Sequence, residues 1–266
     1  MLKHRILSAM VLIPLVLWMI LYGNGVVLSG LLAVVLGLAA YEWMRLIPLN
    51  RPIEKILYIF CLVMCALGAW RYYTIGLWIN TSLWCVLIGC ILTYPQTVHL
   101  WGYRVVVGIW GLVVLPMTYV SLSRIYNHEH GPELVIYLLF LVWAADTGGY
   151  FFGKKWGQKR LIPKVSPGKT LAGVLGGAIL LLLVAACGAL WFKPQSLLAW
   201  LLVASLIFII ALFGDLFISM LKRRVQIKDT GALIPGHGGV LDRIDSLIAA
   251  VPAFAFYLSL LPELIK

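Results

Sequence analysis

The stretch "LLLVAACGAL", Leu181 to Leu190, carries no charge, and neither does "LLAVVLGLAA", Leu31 to Ala40. Both lie inside longer apolar runs of the length a bilayer demands, about 20 residues for a hydrocarbon core ~30 Å thick. The rest of the chain agrees. Of its 266 residues, 62% are hydrophobic and 12% charged, with a mean hydropathy of +0.99. A soluble domain carries about 25% charge, so the composition identifies an integral membrane protein. The fold class expected is all-α and polytopic, with about nine transmembrane helices near 6–22, 25–46, 55–70, 75–93, 105–122, 134–152, 170–191, 197–220 and 247–262. The N-terminal "MLKHRILSAMVLIPLVLWMILYGNG" has the basic start of a signal peptide. Its apolar run is long and no A-x-A-like cleavage site follows, so it is read as a retained first span.

A net charge of +11 points to nucleic acid in a soluble chain. Here the tendency of cytoplasmic loops to collect Lys and Arg explains it, and no nucleic acid is expected. With the N-terminus in the cytoplasm and the spans alternating, seventeen of the twenty-one Lys and Arg fall inside and four outside. That bias places the C-terminus outside and the two most charged loops, 153–169 and 221–246, on the cytoplasmic face. The chain divides at about residue 132: five spans in 1–132, then four spans and both charged loops in 133–266. The five cysteines (Cys61, Cys65, Cys85, Cys90, Cys187) sit in apolar segments with no His or carboxylate at ligand spacing, and read as small core hydrophobes.

Two acids lie where a bilayer disfavours them. Asp146, in "LVWAADTGGYFFG", and Asp215, in "FIIALFGDLFISMLKR", fall inside apolar runs. A charge at the centre of a span costs about 2.5–3.5 kcal/mol on insertion scales, and marks a functional site by default. Helical spacing adds to this. Asp215, Ser219 and Lys222 share one face, with Lys222 ~10 Å nearer the cytoplasm by helix rise. Asp242 and Asp245 are three apart and share a face, while Asp146, Gly149 and Gly153 line one side of the sixth span. Carboxylates gathered beside cations suit Mg²⁺, which binds through one or two carboxylates plus substrate phosphates. Without a metal, such acids repel one another.

The loops carry phosphate chemistry. "GKKWGQKRLIPKVSPGKT" ends in Ser166-Pro167-Gly168-Lys169-Thr170, like the tail of a P-loop, but Pro163 stands where the first glycine of a Walker motif belongs. The physics survives that rejection: Gly168 frees the backbone, the next span opens with free N–H groups, and Lys164 and Lys169 add charge-assisted contacts. Lys154, Lys155, Lys159 and Arg160 read as positive-inside charge. In the second loop, Gly231, Pro235, Gly236, Gly238 and Gly239 make a chain reversal with exposed amides. His237 either hydrogen-bonds a phosphate or shapes the turn.

These residues resemble a known family. "SMLKRRVQIKDTGALIPGHGGVLDRID", Ser219 to Asp245, is similar to the signature of the CDP-diacylglycerol synthases, or phosphatidate cytidylyltransferases. That pattern runs Ser, two residues, Lys-Arg, four residues, Lys-Asp, a small residue two on, His-Gly-Gly, then Asp-Arg and Asp; each element is present at spacing. "ADTGGYFFGKKWG" and "LIPKVSPGKT" resemble the segment preceding it in the bacterial enzymes, while the first five spans are similar in hydropathy alone. One departure is Leu171-Ala172-Gly173, where many members carry Glu or Gln after Lys-Thr.

The resemblance implies cytidylyl transfer from CTP to phosphatidic acid, giving CDP-diacylglycerol and pyrophosphate, in a bacterial inner membrane with the C-terminus periplasmic. It also implies a paired Mg²⁺ site with Asp215 and Asp242 as ligands; depth and spacing add Asp146 and Asp245. Lys169, Lys222, Arg223 and Arg243 are candidates for the triphosphate and the lipid headgroup, with Ser166, Lys164, Lys228, His237, Gly238 and Gly239 as further substrate contacts. A homodimer rests on the resemblance alone, and the G-x-x-x-G of Gly173 and Gly177 packs helices either within or between subunits. A transporter is the main rival, but it would spread polar residues across the bilayer instead of gathering them at one face. A phosphatidyl-transferring enzyme would need Asp-Gly, two residues, Ala-Arg, which is absent. A purely structural protein leaves the cost of Asp146 and Asp215 unexplained.

Overall fold

The computed structural model describes residues 14–233 and 238–261. Residues 14–22 are helical, and from Gly25 the chain runs through α1 (Gly25–Leu46), α2 (Pro52–Arg71), α3 (Tyr73–Leu92), the single turn α4 (Val98–Trp101), α5 (Arg104–Tyr126) and α6 (Gly131–Trp156). A two-stranded hairpin follows, β1 (Arg160–Ile162) and β2 (Ser166–Thr170), then α7 (Leu171–Phe192), α8 (Leu197–Arg224), the short α9 (Leu241–Ile244) and α10 (Leu247–Leu260). Seven of these helices are long and apolar enough to cross a membrane, and α10 is a shorter apolar helix of 14 residues. The fold is all-α and polytopic, as expected. Part of the expected first span and His237 lie outside the described residues. Hydropathy did not indicate α4, α9 or the hairpin, because each is too short to register in a window of span length.

Local chemistry sets the helix ends. Asn24 caps α1 by accepting from the Val27 N–H at 2.8 Å, and Ser196 caps α8 through Ala199 at 3.2 Å. Thr170 closes β2 and caps α7, its Oγ1 accepting from Gly173 N–H at 3.1 Å. Such caps satisfy donors that the helix itself leaves free.

Packing between helices relies on small residues, because lipid tails supply no hydrophobic drive for apolar helices to associate. The closest pair is α6 with α7. A Cβ on Gly177 would stand 2.7 Å from the Ala145 carbonyl oxygen, and one on Gly148 would overlap the Gly176 carbonyl. Only glycine permits this approach. The G-x-x-x-G of Gly173 and Gly177 therefore packs within the chain, against α6. By contrast, Tyr58 is the only residue buried on α2, where Ile56, Phe60 and Leu67 stand exposed. That helix turns its apolar surface outward, as a lipid-facing helix does.

Two cores result. One joins Leu138 and Leu141 of α6 to Leu181 of α7, Trp200 and Ile207 of α8 and Phe254 of α10. The other joins Trp43 of α1, Leu87 of α3, Val107 and Leu115 of α5, and Phe217 and Leu221 of α8. Within it Phe217 sits among three tryptophans, with ring centroids 5.5 Å from Trp84, 5.8 Å from Trp110 and 6.0 Å from Trp43. These tilted and edge-on contacts suit aromatic quadrupoles. They fix α8 two residues from Asp215.

Candidate active site

A cavity of about 450 Å³ opens where α6, α7, α8 and the hairpin meet. From α6 it is lined by Asp146, Gly149 and Tyr150, and from the hairpin by Gly168, Lys169 and Thr170. From α8 come Phe208, Asp215 and Lys222, and from the segment after it Asp229, Asp242, Arg243 and Asp245. Seven residues singled out from sequence thus share one cavity: Asp146, Lys169, Asp215, Lys222, Asp242, Arg243 and Asp245. Of the others, Lys164, Ser166, Arg223, Lys228, Gly238 and Gly239 do not line it, and His237 lies outside the described residues. Arg223 instead donates from Nε to the Val165 carbonyl at 3.3 Å, tying the hairpin to α8.

The end of β2 places Lys169. Thr170 is buried as the helix cap, and Lys169 reaches across to Asp215, Nζ to Oδ2 at 2.7 Å. One turn further along α8, Ser219 Oγ donates to Asp215 Oδ1 at 3.2 Å, so the expected helical stripe is real for that pair. Lys222, on the same face of α8, meets Asp242, Nζ to Oδ1 at 2.6 Å.

Asp242 is saturated by protein donors. Its Oδ2 accepts from Thr230 N–H at 2.8 Å, Thr230 Oγ1 at 2.9 Å and Gly239 N–H at 3.1 Å. Gly238, with φ +83°, provides the left-handed turn that aims the Gly239 amide. Burial pushes the Asp242 carboxyl up, but the Lys222 ammonium and the Thr230 and Gly239 amides outweigh it and hold the group below the usual carboxylate range.

The remaining acids are short of donors. Asp245 accepts from the Ser246 N–H at 2.9 Å. Desolvation, then the nearby carboxylates of Asp215 and Asp146, push it well above the usual range. Three acids from three elements thus crowd one cavity with Lys169 as the near cation. That excess of negative charge fits a divalent cation, although among the described residues no three His, Cys, Asp or Glu side chains are arranged at ligand distance.

Sequence reading missed two acids. Asp229 lines the cavity. Glu42, in "YEWMRL" near the end of α1, is 1% exposed and accepts from Thr230 Oγ1 at 2.9 Å, Val240 N–H at 3.0 Å and Leu241 N–H at 2.8 Å. The rule that singled out Asp146 and Asp215, an acid within an apolar run, applies to Glu42 as well. Its closeness to Arg45 makes it look like an ordinary helix-end pair, but Arg45 turns away to the Thr230 carbonyl at 2.9 Å.

Comparison with known proteins closes the question of family. Residues 3–261 match the cytidylyltransferase family. A phosphatidate cytidylyltransferase of Pseudomonas aeruginosa is 36% identical over 265 residues, covering 96% of each chain. One from Haemophilus influenzae is 33% identical, covering 97% of this chain and 98% of the relative. A Bacillus subtilis phosphatidate cytidylyltransferase is 34% identical over 157 residues, covering 56% of this chain and 58% of the relative. On these matches the chain belongs to the cytidylyltransferase family, among the CDP-diacylglycerol synthases, and is a multi-pass membrane enzyme that transfers a nucleotidyl group.

Proposed function

We propose that the chain transfers the cytidylyl group of CTP to phosphatidic acid, releasing pyrophosphate and forming CDP-diacylglycerol at the cytoplasmic face of a bacterial inner membrane. The observation that carries this reading is the mixed-charge cavity at one end of an apolar bundle, with acids and cations from α6, α8, the hairpin and the signature loop. The full-length relatives bear the name of that activity.

A phosphate monoester is largely dianionic at neutral pH, given a second pKa of about 6. The lipid phosphate oxygen is therefore ready to attack the α-phosphorus of CTP without a general base. A new P–O bond forms there, the bond to the β-phosphate bridging oxygen breaks, and pyrophosphate carries the electron pair away. The obstacle is repulsion between two polyanions. Lys169 and Arg243 line the cavity and neutralise phosphate charge, and Lys222 is held at its wall by Asp242. Tyr150, Phe208 and Gly149 give the cavity an apolar side toward α6 and α8, suited to a headgroup whose acyl chains stay in the bilayer.

Asp146, Asp215 and Asp245 are the residues that would hold Mg²⁺, and Asp242, the fourth acid expected there, would hold Lys222 beside the ion. When bound, the ion supplies charge neutralisation of the phosphates and of the departing pyrophosphate. Its number of sites follows from titration.

The test is detergent-solubilised protein given CTP, phosphatidic acid and Mg²⁺, with lipid product and pyrophosphate measured together. Equal amounts of both are expected, and Asp215→Asn and Asp242→Asn should each abolish turnover. Near-normal activity in both variants would overturn the assignment. Vesicles with reagents on one side only test the face: product should form when CTP is on the side carrying the positive loops.

A further inference from the structure

Glu42 is the feature the reaction scheme leaves unused. It does not line the cavity, yet it is a carboxylate with 1% exposure whose two oxygens meet three donors of the signature loop, two amides and a hydroxyl shared with Asp242. Oε1 takes the Val240 N–H, while Oε2 takes Leu241 N–H and the Thr230 hydroxyl. The two amides sit at the start of α9, the helix that carries Asp242 and Arg243. Neighbouring residues are shaped around this carboxylate. A Cβ on Gly239 or on Gly231 would overlap it, so both glycines make room for an acid delivered from a helix nearly two hundred positions earlier.

Thr230 joins the two halves. Its Oγ1 lies 2.9 Å from Glu42 Oε2 and 2.9 Å from Asp242 Oδ2. One hydroxyl hydrogen serves one oxygen at a time, so Thr230 links the two carboxylates as a single unit. Asp242 in turn holds Lys222. We propose that Glu42 is a positioning residue for the transfer reaction: acting through Thr230, Val240 and Leu241, it fixes the loop that holds Asp242, Lys222 and Arg243 at the cavity wall. This rests on the proposed activity, and it assigns α1 a part in catalysis without contact with substrate. A displacement of about 1 Å in such a wall is enough to cost on the order of a hundredfold in rate.

The experiment compares Glu42→Gln, Thr230→Val, Thr230→Ser and the double Glu42→Gln/Thr230→Val in the CTP and phosphatidic acid assay, with wild-type turnover testing the proposed activity itself. Glu42→Gln keeps the shape but turns one acceptor into a donor, which leaves an amide unpaired. It should lower kcat about 10- to 100-fold, with KM for CTP and for phosphatidic acid changed less than about threefold. Thr230→Val should lose at least about tenfold and Thr230→Ser, which keeps the hydroxyl, should stay near wild type. The double variant should be no slower than the slower of the two single variants, as expected for residues in one unit. Losses that multiply, or Glu42→Gln within twofold of wild type, would overturn the proposal. Should Glu42→Gln not fold, the Thr230 pair decides: equal activity of Val and Ser overturns it. Amide exchange gives a readout independent of substrate. Residues 238–242 should exchange at least about tenfold faster in Glu42→Gln while α5 is unchanged, and unchanged exchange at 238–242 counts against the proposal even if the wild-type reaction differs from the one proposed.

Discussion

Two sets of carboxylates stand at the same end of this bundle and are treated in opposite ways. Asp242 has every oxygen claimed, by an ammonium, a hydroxyl and two amides. Asp146, Asp215 and Asp245 line one cavity with fewer donors: Lys169 and Ser219 on Asp215, and the Ser246 amide on Asp245. A carboxylate that is fully hydrogen-bonded stabilises the structure around it. Acids that are crowded and underserved destabilise the empty protein and favour whatever cation relieves them. The first builds the wall; in the proposed reaction the second holds the cation.

The contrast is sharpest if activity and stability are measured on the same variants. Asp215→Asn and Asp242→Asn should both lose at least about a hundredfold in turnover. Their unfolding should diverge. Asp242→Asn strands Lys222 and part of the Thr230–Gly239 clasp, and should cost about 3 kcal/mol or more in thermal or denaturant unfolding. Asp245→Asn removes one of the acids that share the cavity with Asp146 and Asp215 and so relieves like-charge repulsion; it should leave stability equal or higher while activity falls. A stability loss in Asp245→Asn as large as in Asp242→Asn would erase the distinction.

The lysines give the same contrast with a smaller effect. Lys222 and Asp242 are 15% and 4% exposed, Lys169 and Asp215 22% and 28%. Lys222→Met should cost about 3 kcal/mol, since it leaves a buried charge alone. Lys169→Met should cost less than about 1 kcal/mol, because water screens that pair, yet slow turnover strongly. Adding Mg²⁺ in excess of its dissociation constant should raise the wild-type unfolding midpoint, by about 2.7 kcal/mol of stabilisation at a hundredfold excess. Asp215→Asn should respond little.

The smallest effect expected is that of acid. Asp242 is held below the usual carboxylate range in the folded protein. Its contribution is therefore complete above the unfolded value of about 3.9 and is lost as pH falls through the lowered folded value. Between pH 5 and 3, the wild-type midpoint should fall further than that of Asp242→Asn. Parallel curves would show that the clasp contributes nothing through its charge.

Much of this was legible in the sequence, for identifiable reasons. Hydropathy located α1 to α3, α5 to α8 and α10 within a few residues, because a lipid environment makes each span long and uniformly apolar. It passed over α9 and the hairpin, whose backbone partners are set by single contacts such as Leu171 N–H to the Lys159 carbonyl at 2.9 Å. The cavity acids were readable because depth makes a charge conspicuous. Lys222 was placed on the stripe of Asp215 by helix geometry, but its partner is Asp242, and no periodicity reports a contact between elements. Glu42 was visible to the same rule as Asp146 and went unread because its partners lie in another region of the chain.

The aromatic box around Phe217 bears on what holds the cavity in shape. A helix wedged among three indoles is a fixed post, and it carries Asp215 and Lys222 with it. The hairpin leans on that post: Leu171 N–H donates to the Lys159 carbonyl, and Arg223 Nε to the Val165 carbonyl. Lys169 therefore inherits its place from the two helices that flank residues 160–170, and not from a larger sheet.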